Sequence, residues 1–147
     1  MFQNRFYLAD VWRERLEFPD LKRRVIQSSH DAQARLVLIE DTGSGTALIQ
    51  SLGDEASINV VPFQSKLDKM IRAQQQTAAI EAGKVLLPSE APWLGVFDQE
   101  VLGFPGTRHD DQVDSMVQFL IHMSDRAELD LRSIDLDQDG LLRDEEY

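Results

Sequence analysis

The chain has 147 residues, 42% hydrophobic and 28% charged, with no cysteine and a formal net charge of −11. That length suits one domain able to bury a core, and the lack of cysteine excludes a disulfide framework and a cysteine-based zinc site. No apolar run approaches the ~18 residues of a transmembrane helix, residues 1–5 lack the layout of a signal peptide, and an acidic chain meets nucleic acid only through a local basic patch or bridging divalent cations.

In chain order, Phe6, Tyr7, Leu8, Val11 and Trp12 crowd one segment, which predicts a strand over residues 5–12. Phe18, Pro19 and Asp20 open a helix, with proline in its favoured first turn. Leu21, Val25 and Ala32 fall on one face of it. Leu36, Val37, Leu38 and Ile39 form an unbroken apolar run, as expected of a strand covered on both faces. A Gly/Ser turn leads to a short helix carrying Ala47, Leu48, Ile49 and Leu52. Residues 58–61 read as a further strand, stopped by Pro62.

Residues 65–82 carry a helical pattern with Leu67, Met70, Ile71 and Ile80 inside, and Gly83 is a good stop. Residues 84–87 make a short strand before Pro88. Trp93, Leu94, Phe97, Val101 and Leu102 form a helical stripe that ends at residues 104–106. Val113, Met116, Val117, Leu120 and Ile121 give the cleanest i, i+3, i+4 stripe in the chain. Alternating strands and helices imply an α/β domain with a central sheet, over residues 1–124. Residues 125–147 hold nine acids against three arginines and read as an acidic appendage, mobile from about residue 130.

Two segments carry the chemistry. Glu40 and Asp41 stand at the carboxyl end of the apolar strand expected at the centre of the sheet, before a glycine-containing turn, the end at which open α/β sheets place their sites. A bland role is open to them too, with Asp41 or Thr42 capping the next helix. The turn, Gly43-Ser44-Gly45, lacks the Gly-Lys-Ser/Thr ending of a phosphate-binding loop. The second segment is His109, Asp110, Asp111 and Asp114, at the start of the cleanest helix. Asp111 and Asp114 share a face, and Asp110 sits at the cap position. Carboxylates from a strand end and a helix start can converge on a pair of divalent ions, magnesium or manganese given hard oxygen ligands, and such pairs hydrolyse phosphodiesters.

At these residues the chain resembles the C-terminal nuclease domain of the large terminase subunit of tailed bacteriophages. The resemblance runs through Phe6 to Arg15, then Leu38 to Gln50, then Ser65 to Lys69, Glu81 to Pro88, and Phe104 to Asp114. It implies a ribonuclease H-like mixed sheet flanked by helices, and cutting of concatemeric double-stranded DNA during packaging. It further implies the terminase small subunit and portal as partners and the cytoplasm of a phage-infected or prophage-carrying bacterium as the location. Glu40 corresponds to the second acidic cluster of such domains, and Asp111 with Asp110 or Asp114 to the third. The metal set is then Glu40, Asp111 and Asp114. The first acid and its strand fall before Met1, so the resemblance also implies a chain that cuts DNA poorly, or a non-enzymatic remnant that binds DNA or packaging partners. In the resembled family basic residues near the site hold the DNA backbone, a role open here to Lys66, Lys69 and Arg72, with a solvated helix face as the alternative; apart from the resemblance, the acidic neighbours of His109 make it a candidate to assist water or bind metal.

The tail carries an independent pattern. Asp135, Asp137, Asp139, Gly140, Leu141 and Glu146 fit the twelve-residue EF-hand loop, with Leu141 offering its carbonyl, so calcium is a candidate ligand there.

Overall fold

The computed structural model describes residues 5–55 and 57–140, with side chains as far as Ala127. Among them the elements run β1 (Phe6–Tyr7), α1 (Phe18–Asp31), β2 (Val37–Glu40), α2 (Ser44–Leu52), β3 (Val60–Phe63), α3 (Lys69–Glu81), β4 (Val85–Leu86), α4 (Leu94–Gly103) and α5 (Asp111–Gly140). The class is α/β, as the alternation of patterns predicts.

The strands form two separate two-stranded sheets rather than one central mixed sheet. β2 pairs with β3 in parallel, Val37 opposite Val60 and Glu40 opposite Phe63. β1 pairs with β4 in parallel over two residues each. Parallel neighbours need a crossover, and α2 supplies it for the first pair. The strand expected over residues 5–12 ends at Tyr7, because its partner offers only Val85 and Leu86 before the chain bends at Ser89. Pro62 does not stop β3 but lies within it, opposite Ile39. A two-stranded sheet leaves β3 an open edge, where a missing N–H costs no ladder bond.

One core lies between α1, α2 and the β2–β3 sheet. Leu48, Leu52 and Ile58 are buried there, with Leu21, Val25, Ile26, Val37, Ile39 and Val60 packed around them. Phe97 of α4 and Val113, Val117 and Leu120 of α5 are buried as well. α5 packs on α3 and α4, and Phe119 meets the β1 residue Phe6 edge to face at 5.3 Å.

α3 departs most from its pattern. It begins at Lys69, because the Asp68 side chain accepts the Met70 N–H at 2.8 Å and caps the helix. Lys66 and Leu67 precede it. Leu67, Met70, Ile71 and Ile80 are exposed, while Arg72 and Gln76 are buried. The helix therefore turns a polar face inward. At the other end of the chain α5 runs unbroken to Gly140, so the boundary expected after residue 124 falls inside one helix.

Two glycines place the start of α2. Gly43 holds φ +53°, a conformation that side chains disfavour. A Cβ on Gly45 would collide with the Glu40 carbonyl oxygen, so the helix can approach the end of β2 only without one.

Candidate active site

Glu40 is the last residue of β2, and Asp41 opens the turn into α2. The Asp41 carboxylate accepts from Thr46 Oγ1 at 2.7 Å and from Gln64 Nε2 at 2.7 Å. These two donors, Thr46 foremost, hold its pKa below the usual 3.8. Asp41 thus staples the turn to the residue after β3, and Glu40 is the acid left facing α3.

The first turn of α3 delivers two cations. Arg72 is 93% buried; its Nη1 stands 3.6 Å from Glu40 Oε1 and its Nη2 3.7 Å from Asp114 Oδ1. The Phe63 ring lies beside it, with the guanidinium carbon 5.9 Å from the ring centre. Lys69 Nζ is 2.6 Å from Asp110 Oδ1 and also contacts Asp114 Oδ2. Partial burial pulls the Lys69 pKa down, but the hydrogen bonds to Asp110 and Asp114 outweigh it and leave it above the usual 10.5.

The first turn of α5 is fixed from outside. Glu100 of α4, 95% buried, accepts from the Gln112 N–H at 2.6 Å, the Val113 N–H at 3.3 Å and Gln112 Nε2 at 2.6 Å. Free N–H groups at a helix start need acceptors, and this carboxylate provides one from another helix. Arg13 stands 3.6 Å from Glu100 and 3.4 Å from Asp111.

The structure therefore brings Glu40, Asp110 and Asp114 together around Lys69 and Arg72. Asp111 takes the other side of α5, toward Arg13, with its side chain 75% exposed. Lys69 and Arg72 sit against carboxylates, while Lys66 lies in the loop before α3. His109 is exposed, and its backbone carbonyl accepts from Thr107 Oγ1. Asp135, Asp137 and Asp139 belong to the final stretch of α5, while Leu141 and Glu146 lie outside the described residues.

Sequence reasoning missed Glu100 and the anchoring role of Arg13. A signal for Glu100 existed: it is an acid inside the apolar stripe of Phe97 and Val101, where an uncompensated charge is too costly to bury. Arg13 carried no comparable signal.

Glu40, Asp110 and Asp114 are hard oxygen donors, the type that magnesium and manganese take, often as one or two carboxylates with substrate phosphates. No group of three or more His, Cys, Asp or Glu among the described residues could hold an ion as it stands. Arg72 Nε and Nη1 are buried without a hydrogen-bond partner, Nη1 meeting Glu40 only at ion-pair distance.

A family model described as the terminase RNaseH-like domain matches residues 3–123. No curated protein and no solved structure matches the chain. No helix among the described residues is long and apolar enough to cross a membrane.

Proposed function

The chain belongs to the terminase RNaseH-like domain family, and on that premise we propose that it is a metal-dependent endonuclease domain acting on double-stranded DNA during phage packaging. The observation that carries the reading is the meeting of Glu40, from the end of β2, with Asp114, from the first turn of α5, across the guanidinium of Arg72. Glu40 and Asp114 are the proposed ligands, with Asp110 beside them. A bound magnesium or manganese ion supplies water activation and stabilisation of the leaving oxygen. Arg72 orients the two carboxylates, Nη1 toward Glu40 and Nη2 toward Asp114. Asp41 holds the turn that presents Glu40. Terminase small subunit and portal are the proposed partners in packaging.

A second reading is favoured by one observation: Lys69 and Arg72 already neutralise the acids. In it the domain binds DNA or packaging partners without cutting.

Plasmid nicking in the presence of manganese separates the two. Glu40→Gln and Asp114→Asn should each slow nicking by about a hundredfold or more, the loss of several kcal/mol of transition-state stabilisation. Nicking that is absent from the unaltered protein, or indifferent to both substitutions, favours the binding module.

A further inference from the structure

Each of the two sheets has a free edge beside α5. The Phe6 and Leu8 N–H groups donate to the Lys84 and Leu86 carbonyls, so strand alternation turns the backbone of Tyr7 away from β4. Val37 and Asp41 donate in the same way to Asn59 and Phe63, which turns the backbone of Leu38 away from β3. Among the described residues no strand pairs with either of these edges. A cavity of about 390 Å³ adjoins β1, with Tyr7, Val11 and Met116 in its lining. Another of about 380 Å³ adjoins β2, with Leu36, Leu38 and Gln118 in its lining. Ser115 and Phe119 of α5 line both, so the cavities share a floor and the edges of β1 and β2 flank one slot. Gln118 is only 7% exposed, and its amide has no hydrogen-bond partner among the described residues.

We propose that this slot binds one extended segment of a separate polypeptide, which adds a strand between β1 and β2 and joins the two small sheets. Unpaired N–H and C=O groups along a strand edge are a template for another strand, and here they stand on both sides of one gap. A strand in the gap meets Leu38 on one flank and Tyr7 on the other, so main-chain bonds hold it from both edges. Its side chains alternate, and those that point at Phe119 and Met116 are apolar, while the Gln118 amide takes a polar group of the segment. The partner is therefore a segment with apolar residues at every second position. A hairpin from β1 back into the slot would spend about two of residues 1–5 on its turn and leave too few to span it. Residues 141–147 start from Gly140, about 30 Å along α5 from Phe119, and seven extended residues reach about 24 Å. None of the carboxylates around Lys69 takes part.

The test adds a short fluorescein-labelled peptide, valine alternating with threonine and lysine, to the full chain and follows anisotropy and amide hydrogen exchange. Bound peptide should slow exchange at Tyr7 and Leu38, whose N–H groups face the slot, and leave Phe6 and Val37, already bonded, unchanged. A copy N-methylated at every second residue should bind the same protein about tenfold more weakly or worse, because it loses the donors along one edge. Ser115→Lys, at an exposed position on the slot floor, should weaken binding about tenfold. Leu102→Lys, 85% exposed on α4 and outside the slot, should not change it. Equal binding of the methylated copy, or no protection at Tyr7 and Leu38, overturns the added strand. A free peptide that fails, with the same protection appearing once it is fused ahead of Met1, assigns the slot to a segment continuous with this chain and overturns the separate partner. A dimer that protects these amides without peptide assigns the slot to a second copy and overturns it too. Failure of both the free and the fused peptide overturns the slot itself.

Discussion

Glu40 and Asp114 are bridged by a single guanidinium, Arg72 lying 3.6 Å from one carboxylate and 3.7 Å from the other. One belongs to the β2–β3 half of the fold and the other to the helix that packs on α3 and α4. The bridge is therefore a joint between halves as well as a feature of the site.

Arg72→Met should destabilise the protein by about 1–3 kcal/mol, below the range for a fully buried pair because Glu40 is partly solvated and both contacts are long. Arg72→Lys should lose less, keeping the charge but not both contacts. Urea unfolding followed by circular dichroism measures the difference; equal stability of all three proteins would show that the bridge carries no energy.

Glu100→Ala should cost more, about 2–4 kcal/mol, because it strips acceptors from two buried N–H groups at the start of α5. Glu100→Gln keeps one oxygen acceptor and should fall between. Amide hydrogen exchange at Gln112 and Val113 should accelerate in the alanine variant before the rest of α5 responds. Unchanged protection there would remove the capping role.

Gly45→Ala should destabilise by about 1–3 kcal/mol, the cost of forcing an atom into a packed contact, because its Cβ would press on the Glu40 carbonyl. Gly95→Ala is the contrast: nothing lies within 4 Å of a Cβ there, and alanine in a helix should gain about 0.5–1 kcal/mol over glycine. Thermal melts of both variants test the pair, and a stable Gly45→Ala protein would mean that α2 is not held against β2.

Asp41 sets a dependence on acid. Its folded pKa lies below the unfolded 3.8, so its contribution is present above that value and fades as pH falls through the lowered one. Asp41→Asn should flatten the acid limb of the stability curve and leave stability between about pH 6 and about pH 8 lower but level. Urea midpoints across the acid range measure this, and parallel curves for the two proteins would dismiss the Thr46 and Gln64 donors as its cause.

What the sequence made legible was local. The run from Leu36 to Ile39 announced β2, Pro19 announced the start of α1, and Gly83, at φ +66°, announced the end of α3. The tendency of α/β folds to place sites at the carboxyl ends of strands pointed to Glu40 at the end of β2. The inward face of α3 was not, because it is chosen by what Arg72 and Gln76 meet in space, and the exposed Met70, Ile71 and Ile80 gave the opposite periodicity. The division between Asp111 and Asp114 was equally hidden. Residues three apart share a face on a helical wheel, yet Arg13 and Lys69 stand to either side of that face and draw the two apart.

That division depends on where α5 begins. Each residue advances a helix by about 100°, so starting α5 one residue earlier or later would rotate every acid on it by more than a quarter turn. Glu100, from a different helix, fixes that start by taking the N–H groups of Gln112 and Val113. It works as an index mark on a dial: it touches none of the acids that meet around Lys69, yet it decides that Asp114, and not Asp111, is the one that reaches Arg72.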